Sequence, residues 1–353
     1  MTEFTKAKTM DFPRTVRIGH DTILESGQIC DDLQFGRNGT IITGEKTYRA
    51  AGKTVEDLMT DRKYNIRVIS TGNATPENVE NAIAVCKEDK ADYIAAVGGG
   101  SKIDIAKLVA ADLKIPFLSI PTSVAHDGIA SDRASLKLDK GSKSVPAVSP
   151  MGIIADSAVI NKAPYRFLAA GCADVISNLN ALNDWDFAVR MRNVDFSSSG
   201  YAISKFAAEN LIENCQLIKP HFEESVWMTM RPIIASGVSM CIAGSSRPTS
   251  GSEHMFSHAL DLLHPSGALH GEQCGLGTIM MMELHGGNWE RIRDALRTIG
   301  APVTAKQLNI PDQHIIDALV AAKDIRKDRF TILGDWGLTE EAAENLARST
   351  GVI

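Results

Sequence analysis

The chain has 353 residues, too many for one ordinary core, and this predicts two domains. Its 44% apolar and 23% charged residues make an ordinary globular balance, and a net charge of −6 argues against binding nucleic acid through a basic surface. No apolar run approaches the roughly 20 residues a membrane span needs, and the first residues, MTEFTKAKTMDFPR, lack the apolar core of a signal peptide. Cys30, Cys86, Cys172, Cys215, Cys241 and Cys274 are scattered with no CxxC pair, which predicts reduced thiols in a cytoplasmic protein.

In chain order, GTIITG (39–44) predicts a strand, TYRAAGKTVEDLMTD a helix and NIRVIS (65–70) a strand. TPENVENAIAVCKEDK predicts a helix with Thr75 as N-cap and Pro76 at the first helical position. DYIAAVGGG is a strand running into glycines, SKIDIAKLVAADL a helix, and PFLSIPTS and MGIIAD (151–156) are strands. Strands alternating with helices at this spacing imply a parallel sheet covered on both faces. Beyond about Asn161 helical patterns dominate and strand signals almost vanish. The division predicted is an α/β domain over 1–165, Rossmann-like, and an all-α domain over 166–353, with the active site in the cleft between them.

Two loops would lie on the ligand-binding edge of such a sheet, beyond the carboxyl ends of its strands. AVGGGSKIDIAK joins a strand to a helix through three glycines, which allow close backbone approach to a ligand. The helix start offers free N–H groups and a positive dipole to a pyrophosphate. The spacing is not the usual dinucleotide fingerprint, because Ile103 stands where a third spaced glycine would be. The other loop, within SIPTSVAHDGIASDRASLK (119–137), carries small hydroxyl residues with His126 and Asp127. Asp127 in its HDG turn also fits a simple turn former.

Four of the nine histidines, His254, His258, His264 and His270, fall within seventeen residues. HMFSH puts His254 and His258 on one helix face, and LHGE puts His270 at a glycine-marked turn. A catalytic zinc needs about three protein ligands and an open position. A third ligand is available in GCADVISN, where Asp174 is expected at the start of a helix. The alternative is a helix face with two solvated histidines and a capping Asp.

GGGSKIDIAK, PTSVAHDGIAS, AGCADVISN, SGSEHMFSHALD and LHGEQCGLGTIM, in this order, resemble the iron-containing alcohol dehydrogenase and dehydroquinate synthase-like superfamily. Within it they resemble the sn-glycerol-1-phosphate dehydrogenases, from about Val16 to about Trp336. The resemblance implies one zinc per chain on Asp174, His254 and His270. It implies NAD or NADP contacts at Gly100, Ser101, Lys102, Ile103 and Asp104, at Thr122, Ser123, Val124 and Ala125, and at Ser131. It implies substrate contacts at Asp127, Asp174 and His258. The iron-using relatives carry a fourth ligand, a His four residues after the Asp; here Asn178 stands there, which favours three-ligand zinc. His264 has no role in this pattern and is assigned to the loop surface.

The activity implied is reversible reduction of dihydroxyacetone phosphate to sn-glycerol-1-phosphate, for the glycerophosphate backbone of archaeal phospholipids, with Asp127 or His258 relaying the proton. The substrate phosphate needs a cation in an acidic protein. GSSRPTSGS (244–252) offers Arg247, with Lys205 next in line. ITGEKTY offers both Glu45, which suits NAD, and Lys46, which suits NADP, so use of both is expected. A glycerol dehydrogenase acting on the free polyol is the nearest rival, and a dehydroquinate synthase-type lyase would need more Lys and Arg in 220–275 than are present. A homo-oligomer is expected.

Overall fold

A computed structural model describes residues 7–139 and 141–353. Among the described residues eight strands form: β1 (Thr15–Gly19), β2 (Asn38–Thr43), β3 (Asn65–Ser70), β4 (Tyr93–Gly98), β5 (Phe117–Pro121), β6 (Arg133–Lys137), β7 (Ser142–Pro146) and β8 (Gly152–Asp156). Six of them make one parallel sheet in the order β1-β8-β5-β4-β2-β3. β4, β5 and β8 are buried throughout, which is why they read as continuous apolar runs. Strand order reverses between β2 and β4, so a crevice opens beyond their carboxyl ends, at Gly44 and Gly98.

The helices that cover the sheet include α1 (Ser26–Asp32), α2 (Lys53–Asp61), α3 (Pro76–Glu88) and α4 (Gly100–Leu113). The Thr75 hydroxyl accepts from the Asn78 amide and Pro76 opens α3, as its sequence predicts. Two elements escaped the sequence reading. β1 is a half-exposed edge strand, and β6 pairs with β7 in an antiparallel hairpin of mostly polar residues. Neither carries an apolar run.

From α5 (Tyr165–Ile176) onward the chain is helical: α6 (Asn178–Arg192), α7 (Ser198–Glu213), α8 (Glu223–Ala243), α9 (Ser252–Leu263), α10 (His270–Leu284), α11 (Trp289–Ile299), α12 (Asp312–Ile325) and α13 (Glu340–Ser349). One expectation needs correcting here. α8, 21 residues long, is long and apolar enough to cross a membrane by length and composition. Arg231 and Pro232 interrupt the run in the sequence, but Arg231 stacks on Trp227 with its charge at the surface. Most of α8 is buried, packed on α7 and α5, as a core helix would be. One apolar cluster runs from one face of the sheet (Ile94, Phe117, Ile153) and the α4 residue Ile103 into the helical half (Phe256, Leu276, Leu319), and a second covers the sheet's other face. All six cysteines are free thiols.

Candidate active site

Asp174 lies in the last turn of α5, not at a helix start. The reason is Ser177, whose backbone stays helical while its hydroxyl donates back to the Asp174 carbonyl at 2.5 Å, so α6 follows almost without a break. Asp174 is buried, its Oδ2 accepts the Asp127 amide at 3.0 Å, and its Oδ1 has no partner. His254 Nε2 stands 3.8 Å and His270 Nε2 3.7 Å from that oxygen.

Both rings are fixed by their other nitrogen. His254 Nδ1–H donates to Glu253 Oε1 at 2.7 Å. The Ser257 hydroxyl donates to Gln273 Oε1 at 2.6 Å, so it accepts from His270 Nδ1–H at 3.1 Å. Each Nε2 is therefore left unprotonated and faces the orphaned carboxylate oxygen, with Cys274 Sγ the one further neighbour recorded at His270 Nε2. Burial, reinforced by the other imidazole at His254, lowers the pKa of both histidines, while burial raises Asp174 to about 7. Burial thus disfavours the charged form of all three groups, and the 3.7–3.8 Å separations are too long for hydrogen bonds. Neutral imidazoles around an unsatisfied carboxylate form the donor set a zinc ion takes, with spacings near those of ligands each about 2.0–2.2 Å from a shared ion. Cys274 Sγ, one turn beyond His270, comes within 3.5 Å of its Nε2, and Asp174, His254, His270 and Cys274 offer ligand atoms within 4.8 Å of one another.

Glu253 and Glu272 hold the two imidazole-bearing turns in place. Glu253, fully buried, also accepts the Gly251 amide at 2.7 Å at the entry to α9. Glu272 accepts the Leu269 amide at 2.7 Å and the Arg166 Nε–H at 2.5 Å, which locks the first turn of α10 onto α5.

The loop after β5 closes the cluster from the sheet side. A Cβ on Gly237 of α8 would stand 2.6 Å from the Asp127 carbonyl oxygen, so only glycine lets the helix and loop approach this closely. Asp127 Oδ2 accepts from Ser236 Oγ at 2.7 Å, and Ser236 accepts from Asn178 Nδ2 at 2.8 Å. Asn178 thus supports Asp127 through Ser236. Burial, then the Asp174 carboxylate, raises Asp127 to about 7. His258, one turn along α9 from His254, lines the same cavity, and its Nδ1 has no partner.

The three-glycine turn abuts this loop. A Cβ on Gly100 would stand 2.1 Å from His126 Nε2, and one on Gly99 3.0 Å from Ser123 Oγ. His126 is partly exposed, yet desolvation by its surroundings lowers its pKa to about 3, and its Nδ1 accepts the Gly128 amide at 3.0 Å. Ser101 and Lys102 are partly buried in the first turn of α4, and Lys102 reaches across the β2–β4 crevice to the Gly72 carbonyl. Ile103 faces the core, so only its backbone is near the turn. Asp104 lines the cavity, 3.9 Å from buried Lys107. Thr122 donates its amide to the Gly98 carbonyl, Val124 is buried in the core, Ala125 is partly buried beside the turn, and Ser131 Oγ lies 3.2 Å from Lys107 Nζ. Glu45 and Lys46 are both exposed beyond β2, and Glu45 pairs with Arg49 at 2.7 Å.

Two expectations change. His264 is no incidental loop residue: its ring stacks on His314 at 3.7 Å and bonds Asp317 at 2.8 Å, tying the end of α9 to α12. An isolated His carries no sequence sign of a partner fifty residues away. Arg247 is half-buried, and its neighbours Ser246 and Ser250, rather than Arg247 itself, line the histidine cavity. Lys205 is exposed on α7. Cys274, Glu253 and Ser236 were not singled out from the sequence. Only the HGEQC spacing, one helical turn from His270, could have found Cys274.

The sequence model of the iron-containing alcohol dehydrogenases matches residues 17–164. The glycerol-1-phosphate dehydrogenase [NAD(P)+] of Methanosarcina mazei is 51% identical over 348 residues, covering 98% of this chain and 97% of the relative. The chain belongs to the glycerol-1-phosphate dehydrogenase family. A relative of the same name from Methanosphaera stadtmanae is 48% identical, covering 98% of this chain and 99% of its own. Among solved structures, a probable glycerol dehydrogenase from Sinorhizobium meliloti superposes with a TM-score of 0.81 at 20% identity, covering 98% of both chains. A glycerol dehydrogenase from Schizosaccharomyces pombe gives 0.78 at 17%, covering 99% of this chain and 92% of its own. At such identities the likeness is one of fold.

Proposed function

We propose that this chain reduces dihydroxyacetone phosphate reversibly to sn-glycerol-1-phosphate with NADH or NADPH, for the phospholipid backbone, in the cytoplasm. The observation that carries the reading is the orphaned Asp174 Oδ1 facing two neutral imidazoles in a family whose relatives bear that activity in their names. Asp174, His254 and His270 would hold the zinc, one per chain, with Cys274 beside it. Zinc there would supply Lewis-acid polarisation of the substrate carbonyl, and a nicotinamide would supply hydride.

The remaining work falls to the chain. The glycine turn, with Gly100, Ser101, Lys102, Ile103 and Asp104, offers a helix N-terminus to the cofactor's pyrophosphate. Thr122, Ser123, Val124, Ala125 and Ser131 form the wall next to it. Asp127 and His258 both face the cavity, and each can relay the proton taken up by the substrate oxygen. Ser236 and Asn178 hold Asp127 in place. Arg247 belongs to the cationic end that meets the phosphate. The division into domains at 165/166 and the homo-oligomer are proposed with the same reading, the latter open to sedimentation. The test is NADH oxidation with dihydroxyacetone phosphate against dihydroxyacetone, before and after chelation. Equal use of both substrates, or turnover that survives removal of all metal, would refute the proposal.

A further inference from the structure

Ser246, Thr249 and Ser250 line one end of the histidine cavity, and two guanidiniums stand behind them. Arg329, on the segment after α12, is 8% exposed. Its Nη1 donates to the Ser250 carbonyl, its Nη2 to Ser246 Oγ at 3.0 Å, and its Nε has no partner. Arg326 Nη1 donates to the same Ser246 hydroxyl at 3.3 Å. One serine oxygen thus sits between two guanidiniums, with Arg247 beside them.

Among the described residues, no carboxylate forms an ion pair with any of the three. Asp328, adjacent in sequence, is exposed, and it acts on Arg247, Arg326 and Arg329 only at longer range. Burial, then repulsion by Arg326 and Arg247, pushes Arg329 down to about 9. Burial also lowers Arg326 and Arg247. Removing a cation from water without a counter-charge is costly, and well-ordered guanidiniums held this way are completed by an anion. The fork geometry of arginine matches phosphate oxygens, two at a time. Ser246 and Ser250, which these guanidiniums bond, line the same cavity as His254 and His270.

We propose that Arg326 and Arg329, with the Ser246 hydroxyl between them, form the binding site for a phosphate monoester dianion: the phosphate of the substrate whose carbonyl lies at the Asp174–His254–His270 cluster. This rests on the triose-phosphate reading above and assigns the specificity to residues far from the histidines in sequence. Arg247 contributes charge from the rim. Its side chain makes no hydrogen bond among the described residues, whereas Arg326 and Arg329, which stand behind the cavity lining as Arg247 does, both donate to Ser246, which lines it.

The test uses the full-length, zinc-loaded protein with inorganic phosphate as probe. In the wild type, phosphate inhibits competitively against dihydroxyacetone phosphate. Arg326→Gln should lower kcat/KM for dihydroxyacetone phosphate by roughly 10- to 100-fold, mainly through KM, and raise the phosphate inhibition constant by a similar factor. Arg329→Lys keeps the charge and loses the fork, and should shift both constants the same way. Zinc content and melting temperature are measured alongside. If Arg329→Lys fails to fold, Arg326→Gln decides alone. Retention of both constants by Arg326→Gln overturns the proposal. Loss of NADPH use with substrate constants intact also overturns it, in favour of the cofactor's 2′-phosphate. A wild type that is indifferent to substrate phosphate refutes the triose-phosphate reading itself, and the site with it.

Discussion

The two walls of the cleft are built on different principles. The sheet side presents backbone: a glycine turn, a helix N-terminus and a loop whose amides and carbonyls do most of the bonding. The helical side presents side chains, mostly held by a second residue, as Glu253 holds His254 and Ser257 holds His270. A backbone wall fails when something is added to it. A side-chain wall fails when something is taken away.

The largest effect should come from subtraction on the helical side. His270→Ala removes one of two imidazoles and should lose zinc together with activity, by roughly 10²- to 10³-fold or more, while circular dichroism stays native. Full metal content and turnover in that variant would refute the ligand assignment. Next comes addition on the sheet side. Gly100→Val should abolish NADH binding in a fluorescence titration while zinc is kept. His126 complicates the cause, because its ring already lies against Gly100. The double variant Gly100→Val with His126→Ala sharpens the comparison: recovery of binding would make the displaced ring the obstacle, and continued loss would make it the cofactor's own approach.

A smaller effect is expected one residue behind the ligands. Glu253→Gln keeps an acceptor for His254 Nδ1–H but loses the charge, and should weaken zinc about 10- to 100-fold in competition with a chromophoric chelator. Unchanged affinity would mean that the ring is oriented by packing alone. The smallest effect should follow Cys274→Ser. Three ligands remain, so one zinc per chain should stay bound, with affinity lowered less than about tenfold. Loss of the metal would make the thiol a fourth ligand and remove the contrast with Asn178.

The sequence showed the parts that depend on local periodicity. Buried strands read as apolar runs, and His254 and His258 share a face because four residues make about one helical turn. Asp174 was put at the wrong end of its helix, since nothing local reveals that Ser177 carries the helix on. Arg326 and Arg329 were illegible for a different reason. They meet Ser246 across about eighty residues of chain, and a basic pair in RKDR reads as surface until the fold buries it. The walls differ here too: the glycine turn is written in consecutive letters, whereas the pairs that hold the side-chain wall are assembled by topology.

The apolar cluster that runs from the sheet into the helices has a consequence for how the molecule comes apart. Ile94 and Phe117 on the sheet share a continuous core with Phe256, Leu276 and Leu319. The two proposed domains therefore share one interior, although their secondary structures differ so sharply. Each half lacks part of its own interior when alone, so a chain cut between α/β and helical segments would leave two pieces with bare apolar faces.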